Sequence, residues 1–411
     1  MDNQNAILIF FSLLIILSYI FNIISQKIKV PSVLLLLFTG IGARLLIPEI
    51  ADTIQGLDKI LSLVGTLGLI LIVLEGSLEL EFSREKVPLI LRSFLSAIII
   101  LLITNLLIAL NIYWFTSDIS FKASFVNAIP FSIISSAIAI PSVEQIGKVK
   151  REFIVYESIF SDIFGILIFN FVVFTANIVP SSFSFLIFDL VIVSIVGIAL
   201  TFILLYFISK NQLKVRFFIL IAVIILLYAS GKVLHFSSLV IVFVFGLILN
   251  NIQFISNKWI SKIISYDVLK ANIEQFKMIT IESAFLIRTL FFFIFGYSLL
   301  ITSFLNLNLL LTASIILIIL YGIRFLYLRF AVGRHIFPEL FIAPRGLITI
   351  LLFYSIPEEY SIGIISEGLL FTVILLSSLI MMIGLMLKSK SEMDVHLFSV
   401  NNDLDENRKP D

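Results

Sequence analysis

Asp162 is a carboxylate near the middle of a long apolar stretch, Phe153 to Val179, and Glu157-Ser158-Ile159-Phe160-Ser161 leads directly into it. An ionised side chain at bilayer depth costs on the order of 3 kcal/mol even on forgiving insertion scales. A chain that keeps one there uses it to hold a proton, a cation, or each in turn. Asp162 lies about ten residues, roughly 15 Å of helix, from the start of its span, which is close to a bilayer midplane. Ser158 sits one helical turn earlier on the same face, so its hydroxyl can join the carboxylate around one small ion. The bland alternative is a neutral core acid hydrogen-bonded to a neighbour.

Few other charges fall inside apolar stretches. Glu157 and Arg324 lie at similar depths in two different spans, and an unpaired charge there is expensive, so they read as a structural ion pair rather than ion ligands. Arg345 follows Ala343-Pro344, and its donors suit carbonyls freed by a helix break; its charge would also repel a second cation. Glu75 sits near a span end, where snorkelling and coordination both fit. Glu282 and Arg288 read as a local pair. Arg44, Arg92, Asp189 and Glu367 are within reach of span ends and read as snorkelling side chains. The three histidines, His235, His335 and His396, lie at span ends or in the tail. With no cysteine there is no disulfide or thiolate metal site. No cofactor is expected, and no metal beyond a transported ion.

The elements that must position these groups follow from composition. Hydrophobic residues make up 60% of the 411 and charged residues 13%; mean hydropathy is +1.15. A soluble domain is nearer 45–50% apolar with about a quarter charged. The apolar material comes in runs of roughly 18–27 residues, long enough to cross about 30 Å of hydrocarbon as helix. The chain is therefore an all-α, polytopic membrane protein embedded in a lipid bilayer, and a net charge of +1 gives no sign of nucleic-acid binding. Thirteen spans are expected, roughly at 6–25, 31–47, 60–78, 87–112, 123–143, 153–178, 184–208, 216–234, 236–250, 281–302, 305–330, 338–356 and 363–387. The first carries no basic n-region or cleavage site and is expected to be retained. Residues 251–280, with Lys258, Lys262, Lys270 and Lys277, read as an interfacial helix or a cytoplasmic connector, and 388–411 as a short cytoplasmic tail.

Basic residues crowd one set of loops, from Lys27 and Lys29 through Lys148, Lys150 and Arg151 to Lys388 and Lys390. The opposite loops hold Lys59, Lys122 and Lys232 beside Asp52, Asp118, Glu358 and Glu359. The positive-inside rule puts the N-terminus outside and the C-terminus in the cytoplasm. A plasma (inner) membrane location is expected.

Pro141 in the fifth span and Pro344 in the twelfth predict two unwound helices, because proline removes a backbone bond and clashes with the preceding turn. Under that orientation the two spans run in opposite directions. Interrupted spans at matching places in two oppositely oriented halves point to an inverted-repeat transporter. Residues 6–178 and 216–387 would be the repeats of one transmembrane unit, 1–387.

With these residues in place, the chain resembles the sodium/proton exchanger branch of the monovalent cation:proton antiporter superfamily from Val30 to about Leu387. Glu157-Ser158-x-x-Ser161-Asp162 is similar to its ESxxND signature. Leu67-Gly68-Leu69 through Glu75-Gly76, Phe285 to Thr289, Tyr321 to Phe325 and Pro344-Arg345-Gly346-Leu347 resemble other spans of that family, in its order. The resemblance implies a homodimer of thirteen-helix subunits, each with a dimer domain and a mobile core of six helices, here 87–178 and 305–387. It implies that Asp162 is the shared cation and proton site. Further ligands would be Ser158, Glu75 and backbone carbonyls near Ala139, with Ser161 in the signature's asparagine position. Ala139-Ile140-Pro141 stands where the family usually has Thr-Asp-Pro. A neutral Ser161 leans towards electroneutral exchange.

The expected function is secondary antiport of a monovalent cation, Na⁺ first and Li⁺ or K⁺ as alternatives, against protons by competition at one buried aspartate. A potassium-efflux antiporter and a degenerate, non-transporting family member are the rivals. A membrane-embedded enzyme fits poorly: an aspartyl protease needs a second deep Asp, and an acyltransferase a deep His.

Overall fold

The computed structural model describes residues 3–28, 30–46, 57–116, 119–143, 146–175, 180–210, 216–233, 237–252, 266–299, 307–331, 333 and 336–406. Fourteen α-helices run through them. They are α1 (Asn3–Ile28), α2 (Ser32–Leu46), α3 (Leu57–Glu79), α4 (Val87–Phe115), α5 (Phe121–Ser132), α6 (Ser136–Ser142) and α7 (Lys148–Phe174). Then follow α8 (Pro180–Lys210), α9 (Arg216–Val233), α10 (Ser238–Asn250), α11 (Tyr266–Ser298), α12 (Leu307–Ala331), α13 (Leu347–Tyr354) and α14 (Glu367–Glu406). Because α5 and α6 are halves of one interrupted crossing, these are thirteen crossings, as the hydropathy pattern predicts. Nine helical stretches among the described residues are long and apolar enough to cross a membrane, and three shorter apolar helices, 32–46, 217–233 and 238–250, accompany them.

The packing divides the helices into neighbourhoods. α11 lies against α2 and α3, α10 against α3 and α8, α4 against α5 and α7, and α12 against α14 and α4. Bilayer lipid supplies no hydrophobic drive between helices, so close backbone approach matters. Gly40 of α2 and Gly296 of α11 provide it: a Cβ on Gly40 would run into the Phe293 carbonyl, and one on Gly296 into the Leu37 carbonyl. Helix starts are locally encoded where loops are short. Ser120 Oγ accepts from the Ala123 N–H (3.1 Å) to cap α5, and Pro88 sits in the first turn of α4, where its missing N–H costs nothing.

The described structure departs from the expected elements in three places. The tenth crossing begins at Tyr266, so the connector is helical from there, while 253–265 lies outside the described residues. Residues 266–280 extend the helix because they keep an inward apolar stripe: Phe276 is buried against Phe217 and Phe245, with Ile273 and Ile279 beside it. The last helix continues through the expected tail to Glu406. The third departure concerns the breaks. The fifth crossing unwinds at Ile133-Ile134-Ser135, and Pro141 lies inside α6. The twelfth replaces its expected first half with turns over 337–341 and irregular backbone over 342–346 before α13.

Candidate functional site

The two unwound segments cross. The Ser135 N–H donates to the Pro344 carbonyl (2.8 Å), tying one break to the other. Gly346 leaves room for this contact: a Cβ there would meet Ser135 Oγ at 2.6 Å and Ile138 Cδ1 at 2.8 Å. Unwinding strands backbone groups that lipid cannot satisfy, so side chains must. Arg345 takes the carbonyls. It is 2% exposed, its Nε donates to the Phe131 carbonyl (2.7 Å), and Nη1 and Nη2 donate to the Ala343 (2.5 Å) and Ser132 (3.4 Å) carbonyls.

The exposed N–H groups are taken by α7. Ser161 Oγ accepts from the Ile134 N–H (2.9 Å), and Asp162 Oδ2 accepts from the Ser136 N–H (3.2 Å) and from the Ser136 hydroxyl. Asp162 is 2% exposed. Among the described residues, two buried oxygens at this crossing have no hydrogen-bond partner: Asp162 Oδ1 and Ser135 Oγ. A buried polar atom without a partner is costly, and carboxylate and hydroxyl oxygens are the ligand chemistry of a small hard cation.

A cavity of about 240 Å³ reaches this crossing. It is lined by Ser136, Ala137 and Pro141 of α6, Glu75 and Glu79 of α3 and Arg288 of α11, and it extends to Arg151, which is exposed at the start of α7. The cavity thus brings charged and polar side chains to Ser136, the residue that holds Asp162.

Glu157 and Arg324 form a fully buried bidentate pair. Nη1 and Nη2 of Arg324 lie 3.0 Å and 2.7 Å from Oε1 and Oε2 of Glu157, with both side chains 1% exposed. Ser96 donates to Glu157 Oε1 (2.5 Å), and Arg324 also donates to the Glu339 carbonyl through Nε (3.0 Å) and Nη2 (2.9 Å). The pair holds α4, α7, α12 and the turn before the second break in one network.

Other residues singled out in the sequence stand differently. Ser158 donates to the Val155 carbonyl of its own helix (3.1 Å) and makes no bond to Asp162. Ala139 is buried inside α6, its N–H donating to the Ser135 carbonyl (3.0 Å); the residue of this span that reaches Asp162 is Ser136. Pro141 does not mark the break, for tertiary bonds from Ser161, Asp162 and Arg345 set it six to eight residues earlier. Glu75 pairs with Arg288 at 2.6 Å, so the expected Glu282–Arg288 pair is not formed; Glu282 is exposed. Arg44 caps α11 through the Tyr297 (2.9 Å) and Ser298 (2.7 Å) carbonyls, and Asp189 holds the Ser237 hydroxyl (2.7 Å) at the start of α10, so neither only snorkels. Arg92 is exposed, and Glu367 accepts from the Tyr354 hydroxyl (2.8 Å). Ser135, Ser136 and Ser96 were not singled out. The Ser135-Ser136 pair in an interrupted span was the available signal.

A sequence model of the family described as "Sodium/hydrogen exchanger, transmembrane" matches residues 12–389. The chain belongs to that family. Among solved structures, that of the sodium proton antiporter MjNhaP1 from Methanocaldococcus jannaschii at pH 8 aligns with a TM-score of 0.68 at 20% identity, covering 93% of this chain and 100% of that one. An electron-microscopy map of the same antiporter aligns at 0.66 and 20% identity, covering 93% of this chain and 95% of that one. No curated protein sequence matches. The chain thus has the antiporter fold and belongs to a family of secondary transporters that exchange cations for protons across a membrane.

Proposed function

We propose that the protein exchanges one kind of monovalent cation, Na⁺ ahead of Li⁺ and K⁺, for protons by competition at Asp162. The observation that carries this reading is the buried Asp162 Oδ1 left without a partner at the helix crossing, where Ser135 Oγ is also unpartnered and Oδ2 is already fixed by Ser136. Desolvation penalises the bare carboxylate, and either a proton or a cation relieves the penalty. Both cannot be held at once, because a bound cation repels the proton and a protonated acid is a poor ligand. The charged empty site is the form least able to cross a low-dielectric interior, which couples the two fluxes.

In this reading the segments 87–178 and 305–387 move as a core against the rest of the subunit, carrying Asp162 from one side to the other. The loop charges support an outside N-terminus, a cytoplasmic C-terminus and a cavity mouth on the cytoplasmic side. The remaining helices would form a homodimer contact in the plasma membrane. Proton flux into proteoliposomes, driven in turn by Na⁺, Li⁺ and K⁺ gradients, tests the function. Na⁺- and Li⁺-driven proton movement is expected. A response to K⁺ alone, or to no cation, would overturn the reading.

A further inference from the structure

Arg288 reaches two partners in different parts of the subunit. Nη2 lies 2.6 Å from Glu75 Oε2 on α3, and Nη1 donates to the Ala137 carbonyl on α6 at 3.3 Å. That carbonyl has been left open by sequence. In an uninterrupted helix it accepts from the N–H four residues on, and residue 141 is a proline with none to give. Ser136, the neighbour of Ala137, makes both bonds to Asp162 Oδ2. Ser136, Ala137, Pro141, Glu75 and Arg288 all line the same cavity. The two anchoring helices, α3 and α11, pack on each other, whereas α6 packs chiefly on α7.

We propose that Arg288 is a positioning residue. Clamped by Glu75, it supplies from α11 the hydrogen bond that Pro141 deletes, and so holds the first turn of α6, with Ser136, against Asp162. Glu75 Oε2 is then the counter-charge of Arg288. Ion affinity at Asp162 depends on a contact between α11 and α6, two elements that the exchange cycle moves past one another. The inference rests on Asp162 being the exchange site.

The test measures the KM for Na⁺ and the maximal rate of proton exchange in proteoliposomes, with the melting temperature of each variant. Glu75→Gln/Arg288→Gln removes both charges together, so neither is left unpaired; it is expected to raise KM about five-fold while the maximal rate stays within about two-fold. Arg288→Lys keeps the charge but loses the fork that serves two partners, and a similar rise in KM is expected. Adding Pro141→Ala to the double variant returns an N–H to the Ala137 carbonyl and should bring KM back to within about two-fold of the unaltered protein. An unchanged KM, no recovery on adding Pro141→Ala, or lower stability and rate at constant KM would each overturn the inference. Should the double variant fail to fold, the KM of Arg288→Lys decides by itself. Asp162→Asn separates the two layers. Full exchange in that variant removes the underlying reading, whereas loss of exchange there with unchanged KM in the Arg288 variants removes only this one.

Discussion

Removing Arg324 should be among the most damaging changes to stability, and the structure gives the scale. Arg324→Ala leaves the Glu157 carboxylate buried, 1% exposed, with Ser96 as its one remaining donor, and leaves the Glu339 carbonyl without two of its bonds. Breaking a buried pair from one side costs about 3–5 kcal/mol, because the surviving charge has nowhere to go. At roughly 1 °C per kcal/mol for a chain of this size, the melting temperature in detergent should fall by about 3–6 °C. Glu157→Gln should cost a similar amount by stranding the guanidinium. Glu157→Gln/Arg324→Ala, which strands neither charge, should be no worse than either single change, giving a coupling energy of at least about 3 kcal/mol. Thermal unfolding followed by size-exclusion chromatography reads all four proteins. Strictly additive losses would refute the idea that these residues act as a pair.

Three further outcomes follow from the crossing. Ser136→Ala deletes the hydroxyl bond to Asp162 Oδ2 but keeps the backbone one, so the KM for Na⁺ should rise about five- to ten-fold, with Ser136→Thr close to the original; equal KM values in flux assays would contradict this. Gly346→Ala places a Cβ 2.6 Å from Ser135 Oγ, and opening the crossing to admit it should cost about 1–3 kcal/mol in melting experiments and slow exchange; wild-type behaviour would show that the crossing yields. Competition at one carboxylate makes the KM for Na⁺ rise about ten-fold per unit of acidification once the proton form dominates, at constant maximal rate. A KM independent of pH would show that proton and cation bind separately.

The crossings were legible in the sequence because most carry an apolar run close to the length that spans a bilayer. The burial of Asp162 followed from its place in an apolar run of one helix. What reaches Asp162 did not. Proline predicts unwinding at Pro141, yet the fifth crossing opens at Ile133–Ser135 because groups distant in sequence hold its backbone there: Ser161 on the Ile134 N–H, Asp162 on the Ser136 N–H and Arg345 on the Phe131 carbonyl. Such bonds bridge 26 to 214 positions in the chain, and no local propensity encodes them. Arg288 was misplaced for the same reason. Glu282 is near in sequence, but Glu75 lies across a helix contact that only the packing of α3 on α11 creates. The helical start at Tyr266 was obscured by lysines that mask the apolar stripe through Ile273, Phe276 and Ile279.

The most direct measurement is Na⁺-driven proton flux in proteoliposomes containing Asp162→Asn protein that elutes and melts like the original. Asparagine keeps the shape and can still accept from Ser136, but it carries no charge to trade between ions. Flux at the level of empty liposomes is the outcome required if one carboxylate serves both ions in turn. Na⁺-dependent proton movement at the unaltered rate would mean that the exchange runs elsewhere in the protein.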